Sequence, residues 1–160
     1  MKKNLMLFVI IFLCVGNVFS QFDIKSRTVL NKFVLGYDNE KTLSQKVEFD
    51  ELSVYTDYDG KCEVTKITLT EYMYKLNAVK VVLLLVDDNL YGVRFYPKND
   101  KMVMKYESIL NSTIYNSYFT KKEWFNKYVI IYYNIDGNFE ESYVHYDVNL
   151  LRKFPQYMDF

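Results

Sequence analysis

His145 is the one histidine in the sequence, and it stands in Phe139–Val148 (FEESYVHYDV) between Glu141 and Asp147. An imidazole with carboxylates at nearby alternate positions of a strand is the arrangement that moves protons near neutral pH. The segment follows Tyr128–Asn134 (YVIIYYN) across Asp136-Gly137, the clearest hairpin signal in the chain. A two- or four-residue loop there sets Val129 beside Val144 and Ile131 beside Ser142, which reads as a core face. The opposite face then gathers Tyr128, Ile130 and Tyr132 with Glu141, Tyr143, His145 and Asp147. A three-residue loop sorts the side chains the other way.

That face supports two readings. In one, His145 works with Asp147 or Glu141 as an acid–base pair or a ligand contact. In the other, which the sequence favours, it is a structural histidine, because no partners with defined roles accompany it. Ser142 points away from His145 in this register, and no Gly-x-Ser-x-Gly elbow exists, so a Ser–His–Asp site has no support. No catalytic residue is assigned. The expected binding residues are Trp124, Tyr128, Tyr132, Glu141, Tyr143, His145 and Asp147.

Other chemistries find little footing. One histidine and one cysteine beyond the N-terminal segment do not build a zinc site. Asp57-Tyr-Asp59-Gly60 has alternate carboxylates, but its glycine comes too early for a calcium loop; it and Asp87-Asp88 read as turns. The five glycines are scattered, so no phosphate-cradling loop forms. No metal and no cofactor is expected.

The elements that carry these residues begin after a targeting segment. Lys2 and Lys3 are followed by apolar Leu5–Val15, a break at Gly16-Asn17, and Val18 and Ser20 at the −3 and −1 positions of a cleavage site. The apolar stretch is short for a membrane span. The expectation is export, with residues 1–20 removed after Ser20 and a single β-rich domain over 21–160. Loss of Lys2 and Lys3 leaves 18 basic against 20 acidic residues, a balance that attracts neither nucleic acid nor an anionic surface. Cys14 leaves with the signal, so Cys62 has no intramolecular partner and reads as a small buried hydrophobe. The partner expected is a protein or a small ligand. The 16 tyrosines suit a binding surface. The same skew, rich in Lys, Asn, Ile and Tyr and poor in Ala and Arg, also follows from AT-rich codons.

Val79–Phe95 (VKVVLLLVDDNLYGVRF) reads as the central hairpin, with Val81–Val86 a strand buried on both faces. A two-residue loop at Asp88-Asn89 pairs Val86 with Tyr91, Leu84 with Val93 and Val82 with Phe95 on one apolar face. Leu52–Ile67 forms a second hairpin turning at Tyr58-Asp-Gly60-Lys61. Thr28–Leu35 reads as a strand or short helix, Asp38-Asn39 as a turn, Val47–Phe49 as extended, and Met102–Ile109 as a meander strand after a Pro97–Lys101 loop. Capping boxes at Thr68–Glu71 and Thr120–Glu123 predict helices over Leu69–Leu76 and through Trp124 to about Lys127. Asn111-Ser-Thr113 matches a glycosylation acceptor, and Phe154-Pro155 should stop any helix begun at Asn149.

About seven strands and two short helices joined by hairpins give an α+β, predominantly antiparallel fold, a meander sheet that could curve toward a barrel. The expected function is a non-catalytic binding or interaction module using a tyrosine-rich sheet face. The alternatives are an edge-strand assembly or partner-neutralising protein, and a small enzyme centred on His145.

Overall fold

A computed structural model describes residues 22–23, 27–30, 32–49, 54–60, 62–69, 78–113, 115–116, 123–135 and 140–158. The expected signal segment, most of the Leu69–Leu76 helix and the start of the Thr120 capping box lie outside them.

The architecture is α+β and antiparallel throughout. The strands, in chain order, are β1 (Phe22–Asp23), β2 (Thr28–Val29), β3 (Phe33–Val34), β4 (Val54–Asp59), β5 (Cys62–Leu69), β6 (Ala78–Val86), β7 (Asn89–Pro97), β8 (Tyr115–Asn116), β9 (Glu123–Phe125), β10 (Val129–Ile135) and β11 (Glu141–Asp147). Helices are α1 (Glu40–Lys46), α2 (Asp100–Thr113) and α3 (Val148–Lys153), followed by a 3-10 turn over Pro155–Tyr157. The first three strands make a small sheet. The other eight run in the order β4-β5-β6-β7-β11-β10-β9-β8, and this sheet stays open rather than closing into a barrel.

Val81–Val86 is buried along its whole length, as a strand covered on both faces must be. Val81, Leu83 and Leu85 join Val93, Phe95, Ile131 and Tyr143 in one cluster, covered by Tyr106 and Leu110 of α2 and by Phe33, Leu35 and Leu43 of the N-terminal unit. Leu84 and Val86 join Tyr91, Val144, Tyr146 and Phe154 in a second cluster on the other face, beneath Leu150 and Leu151 of α3.

The β6–β7 register departs from the expected one. The turn is Asp87-Asp88, with φ of 48° and 55°, so Val86 pairs Asn89. Both central residues are left-handed, the geometry of a hairpin turn that follows strand twist, and aspartate tolerates it. Tyr91 is then an extra residue: Leu85 pairs Leu90, Leu84 pairs Gly92, and Leu83 and Val81 pair Val93 and Phe95. This bulge sends Tyr91 to one cluster while Leu90, Val93 and Phe95 stay with the other. The expected apolar face of Val82, Leu84 and Val86 with Tyr91, Val93 and Phe95 is therefore not the one formed.

Three further expectations are corrected. Met102–Ile109 is helical, not a strand. Asn99 Oδ1 accepts from Met102 N at 3.1 Å, Asp100 lies in the first turn, and Val103, Tyr106 and Leu110 fall on one face. Thr68 and Leu69 belong to β5 and pair with Val82 and Val81, so neither caps nor begins a helix. Glu123–Phe125 is a strand, paired with β10 through Ile131–Trp124. Asp38-Asn39 leads into α1, where Asn39 and Thr42 cap each other reciprocally. Val47 leaves α1 with extended backbone, φ -139° and ψ 144°, as expected, and Val47–Phe49 pairs with no strand among the described residues. Thr28–Leu35 is the β2–β3 hairpin. The Val54–Leu69 hairpin turns at Gly60 as expected, with Asp59 opposite Cys62, and α3 ends before Pro155. Cys62 is half-buried against the second cluster. Asn111 lies within α2. Among the described residues no helix is long and apolar enough to cross a membrane.

Candidate functional site

Strand β11 carries most of the expected site, and its register with β10 decides what the site is. Ile135 pairs Glu141, leaving five residues between the strands, and Ile131 pairs His145. A loop of odd length reverses the sorting expected for two or four residues. Tyr143, His145 and Asp147 turn inward, where they are fully or almost fully buried. Val144 and Tyr146 take the opposite face, with Tyr132. Tyr128, Tyr132 and Tyr143 thus do not form one exposed patch: Tyr143 is 0% exposed, and Tyr132 lies on the opposite side of the sheet.

Tyr143 and His145 lie opposite Phe95 and Val93 of β7. The Phe95 ring stacks on both, with centroids 5.4 Å from Tyr143 and 5.5 Å from His145. His145 Nδ1 is 3.3 Å from the Val93 carbonyl oxygen. A carbonyl only accepts, so the imidazole proton sits on Nδ1, and Nε2 accepts from the Tyr106 hydroxyl. Burial pushes the imidazole down to about 3, against a small opposing effect of the Val93 hydrogen bond. Burial also raises the Tyr106 phenol well above its usual value. The ring is therefore neutral, and both its nitrogens are engaged inside the core.

Around this pair lies a cluster of phenols, each bonded to its own acceptor. Tyr143 donates to Glu107 Oε1 at 3.1 Å, and Tyr133 donates to Glu141 Oε1 at 2.6 Å. Burial is the first cause that raises both phenols, followed by the Glu107 charge for Tyr143 and the Glu141 hydrogen bond for Tyr133. Trp124, buried on β9, has its ring 6.0 Å from Tyr143. The fold thus brings Trp124, Tyr143 and His145 together, with exposed Glu141 reaching the cluster through Tyr133.

The remaining expected residues go elsewhere. Tyr132 packs its ring 5.9 Å from Tyr146. Asp147 is buried under the N-terminal unit. Its Oδ1 caps α3 by accepting from Asn149 N and Leu150 N, both at 2.9 Å, and its Oδ2 binds Arg27 Nη1 at 2.8 Å. That guanidinium lies 5.1 Å from the Tyr128 ring centroid and 5.3 Å from that of Tyr37. Tyr128 and Asp147 are therefore parts of a clamp between the two sheets.

Sequence reasoning missed Tyr106, Glu107 and Tyr133 as cluster members, and Arg27 as Asp147's partner. The first two were hidden by reading α2 as a strand; the spacing of Val103, Tyr106 and Leu110 was the available signal.

The exposed tyrosines lie away from this cluster. Among the described residues strand β4 ends the large sheet with β5 as its hydrogen-bonded neighbour, and its Tyr55 and Tyr58 are 64% and 72% exposed. Among the described residues no three His, Cys, Asp or Glu side chains are grouped to hold a metal ion. Comparison with known proteins gives no match to a family model, to a curated protein or to a solved structure.

Proposed function

We propose that the protein is an exported, non-catalytic interaction module, one domain over residues 21–160, that engages an extended protein segment along the edge of β4. The observation that carries this reading is the terminal place of β4 in the sheet together with its exposed side chains from Tyr55 to Tyr58. An unpaired strand edge presents main-chain donors and acceptors to an added strand, and alternate side chains supply selectivity. Protected edges carry charged side chains, lysine above all, or proline or a bulge; Val-Tyr-Thr-Asp-Tyr-Asp has no lysine or proline, its pairing with β5 is regular, and its only charges are Asp57 and Asp59. Tyrosines give large amphipathic contacts at low entropic cost. The carboxylate of Asp57 and that of Glu63, held 2.9 Å from the Tyr58 hydroxyl, favour a partner strand that carries lysine or arginine. Balanced overall charge argues against nucleic acid. Export is supported by the basic start, the apolar stretch and the small residues before Gln21.

The test is a photo-crosslinking amino acid placed at Tyr55 or Tyr58 in the exporting cell, with Met104, exposed on α2, as control. The reading expects a discrete covalent adduct from the two β4 sites only. Labelling from β4 no different from that at Met104 overturns it. Export is checked separately by the N-terminal sequence of the extracytoplasmic protein, expected to begin at Gln21.

A further inference from the structure

We propose, resting on the reading of β4 as an interaction edge, that Asp57 is the specificity-determining residue of that edge. Its carboxylate closes the strand to neutral and acidic segments and yields it to one that brings a lysine or arginine opposite. The observation behind this is one hydrogen bond: Tyr58 N donates to Asp57 Oδ1 at 2.7 Å, outside the β4–β5 ladder.

The register decides which main-chain groups point outward. Asp59 and Cys62 pair with each other across a two-residue loop, and such a loop closes on a pair that exchanges both main-chain bonds. By alternation, Asp57 and Tyr55 bond to β5, whereas Tyr58, Thr56 and Val54 turn their main-chain groups to the outer side. Two contacts agree. Glu63, opposite Tyr58, gives its N–H to Asp87 Oδ1 at 3.1 Å, and its carbonyl accepts from Asp87 N at 2.8 Å, both toward β6. Thr56 and Thr65 bring their hydroxyl oxygens to 3.0 Å, the close approach of a non-hydrogen-bonded pair.

The Tyr58 amide is therefore a donor that an added strand needs, and Asp57 already holds it. A carboxylate on an N–H makes a charge-assisted bond, stronger than the neutral carbonyl bond that would replace it. A neutral strand loses in the exchange, and an acidic one is repelled as well. In an antiparallel addition, Thr56 and Tyr58 form hydrogen-bonded pairs. The residue opposite Asp57 then falls in the pair between them, where side chains lie closest. A lysine or arginine there receives the carboxylate as it leaves the amide, and the ladder closes. Exposed Tyr55, whose hydroxyl is 3.4 Å from Asp57 Oδ2, stands next on the same face and offers its ring to the stem of that basic side chain. A second copy of β4 carries no lysine or arginine, so the same residue disfavours edge-to-edge pairing of this chain with itself.

The test is fluorescence anisotropy of the full chain with labelled peptides that share an alternating threonine–valine frame and differ only at the centre, which is lysine, norleucine or glutamate. Wild type should bind the lysine peptide about fivefold more tightly than the norleucine one at low salt, and the glutamate peptide most weakly. Asp57→Asn keeps a side-chain carbonyl for the Tyr58 amide but has no charge, so the lysine preference should disappear. Asp57→Ala leaves the amide open. It should bind the norleucine peptide more tightly than wild type does, and it should self-associate in sedimentation where wild type does not. Near-ultraviolet circular dichroism checks folding; if Asp57→Ala does not fold, Asp57→Asn decides alone. No binding of the lysine peptide, equal binding of the lysine and norleucine peptides by wild type, or a lysine preference that survives in Asp57→Asn overturns the proposal. Failure of the interaction reading is seen separately, as the absence of β4 adducts in the cell. Adducts from Tyr55 and Tyr58 whose yield is unchanged by Asp57→Asn keep β4 as the edge and overturn Asp57 as its selector.

Discussion

Arg27 Nη1 lies 2.8 Å from Asp147 Oδ2, a contact between residues 120 positions apart that ties the N-terminal hairpin to the last strand. Asp147 is 1% exposed and also caps α3, so its carboxylate serves three partners.

The first prediction concerns that clamp. Asp147→Ala removes the cap and leaves the guanidinium without its ion pair, and the expected loss is about 3–5 kcal/mol. Arg27→Ala should cost less, about 2 kcal/mol, because Asp147 keeps its two backbone donors. A double-mutant cycle by urea unfolding should find the two changes strongly non-additive. Additive losses overturn the clamp as the link between the sheets.

A second prediction separates two left-handed glycines. Gly36 has φ +75°, and a Cβ added there would lie 2.9 Å from Asp147 Oδ2 and 3.1 Å from Arg27 Nη1. Gly60, at φ +63°, has open space around that position. Gly60→Ala should therefore cost only the backbone term, about 1 kcal/mol. Gly36→Ala bears that cost and disturbs the ion pair as well, so its loss should be clearly greater, about 2–3 kcal/mol. Thermal melting of the two variants side by side checks the order, and equal shifts count against it.

What could be read from the sequence was local and chemical. The valine–leucine run Val81–Val86 announced a doubly covered strand, and Asp59-Gly60 announced its turn. The antiparallel class followed from such hairpins. What could not be read was counting across gaps. One extra residue at Tyr91, and five rather than two or four between β10 and β11, each reverse which side chains point inward. No intrinsic preference of Tyr143 or His145 announces the loop length, so the expected open face became core. The α2 error has a different cause. Val, Tyr and Ile in Met102–Ile109 favour strands, but Asn99 caps the helix and the three-and-four spacing buries one stripe against Phe95.

The orientation of α2 gives a third prediction. Leu110 is 0% exposed, whereas Met104 is 73% exposed on the same helix. Leu110→Ala should cost about 2–5 kcal/mol through lost burial and the cavity left behind. Met104→Ala should stay within about 0.5 kcal/mol. Asn99→Ala removes the cap on Met102 N and should cost about 1 kcal/mol. Were the meander strand over 102–109 continued one residue to Leu110, Met104 and Leu110 would share a face, because residues an even number apart point the same way. Comparable losses at both positions would therefore restore the strand and sink the helix.

The fourth prediction is a pH dependence carried by one side chain. In the folded protein, burial lowers the His145 imidazole from its usual 6.5 to about 3. Above pH 6.5 the ring is neutral in both states, and the folded state has its full stability. As the pH falls below 6.5 the unfolded chain binds a proton that the folded chain refuses until about pH 3. Stability therefore declines across that window, with a slope approaching about 1.4 kcal/mol per pH unit. The chain has a single histidine, and ordinary carboxylates titrate mainly below pH 5, so the stretch from 6.5 to 5 reports His145 almost alone. Urea midpoints at pH 7, 6 and 5 should fall steadily for wild type. His145→Gln, which has no titrating ring, should be less stable at pH 7 because the Tyr106–imidazole hydrogen bond and the ring packing on Phe95 are lost, yet nearly flat between pH 6.5 and 5. A wild-type profile as flat as that of the variant would mean that the imidazole accepts its proton in the folded state, and hence that it is not enclosed between Tyr106 and Val93.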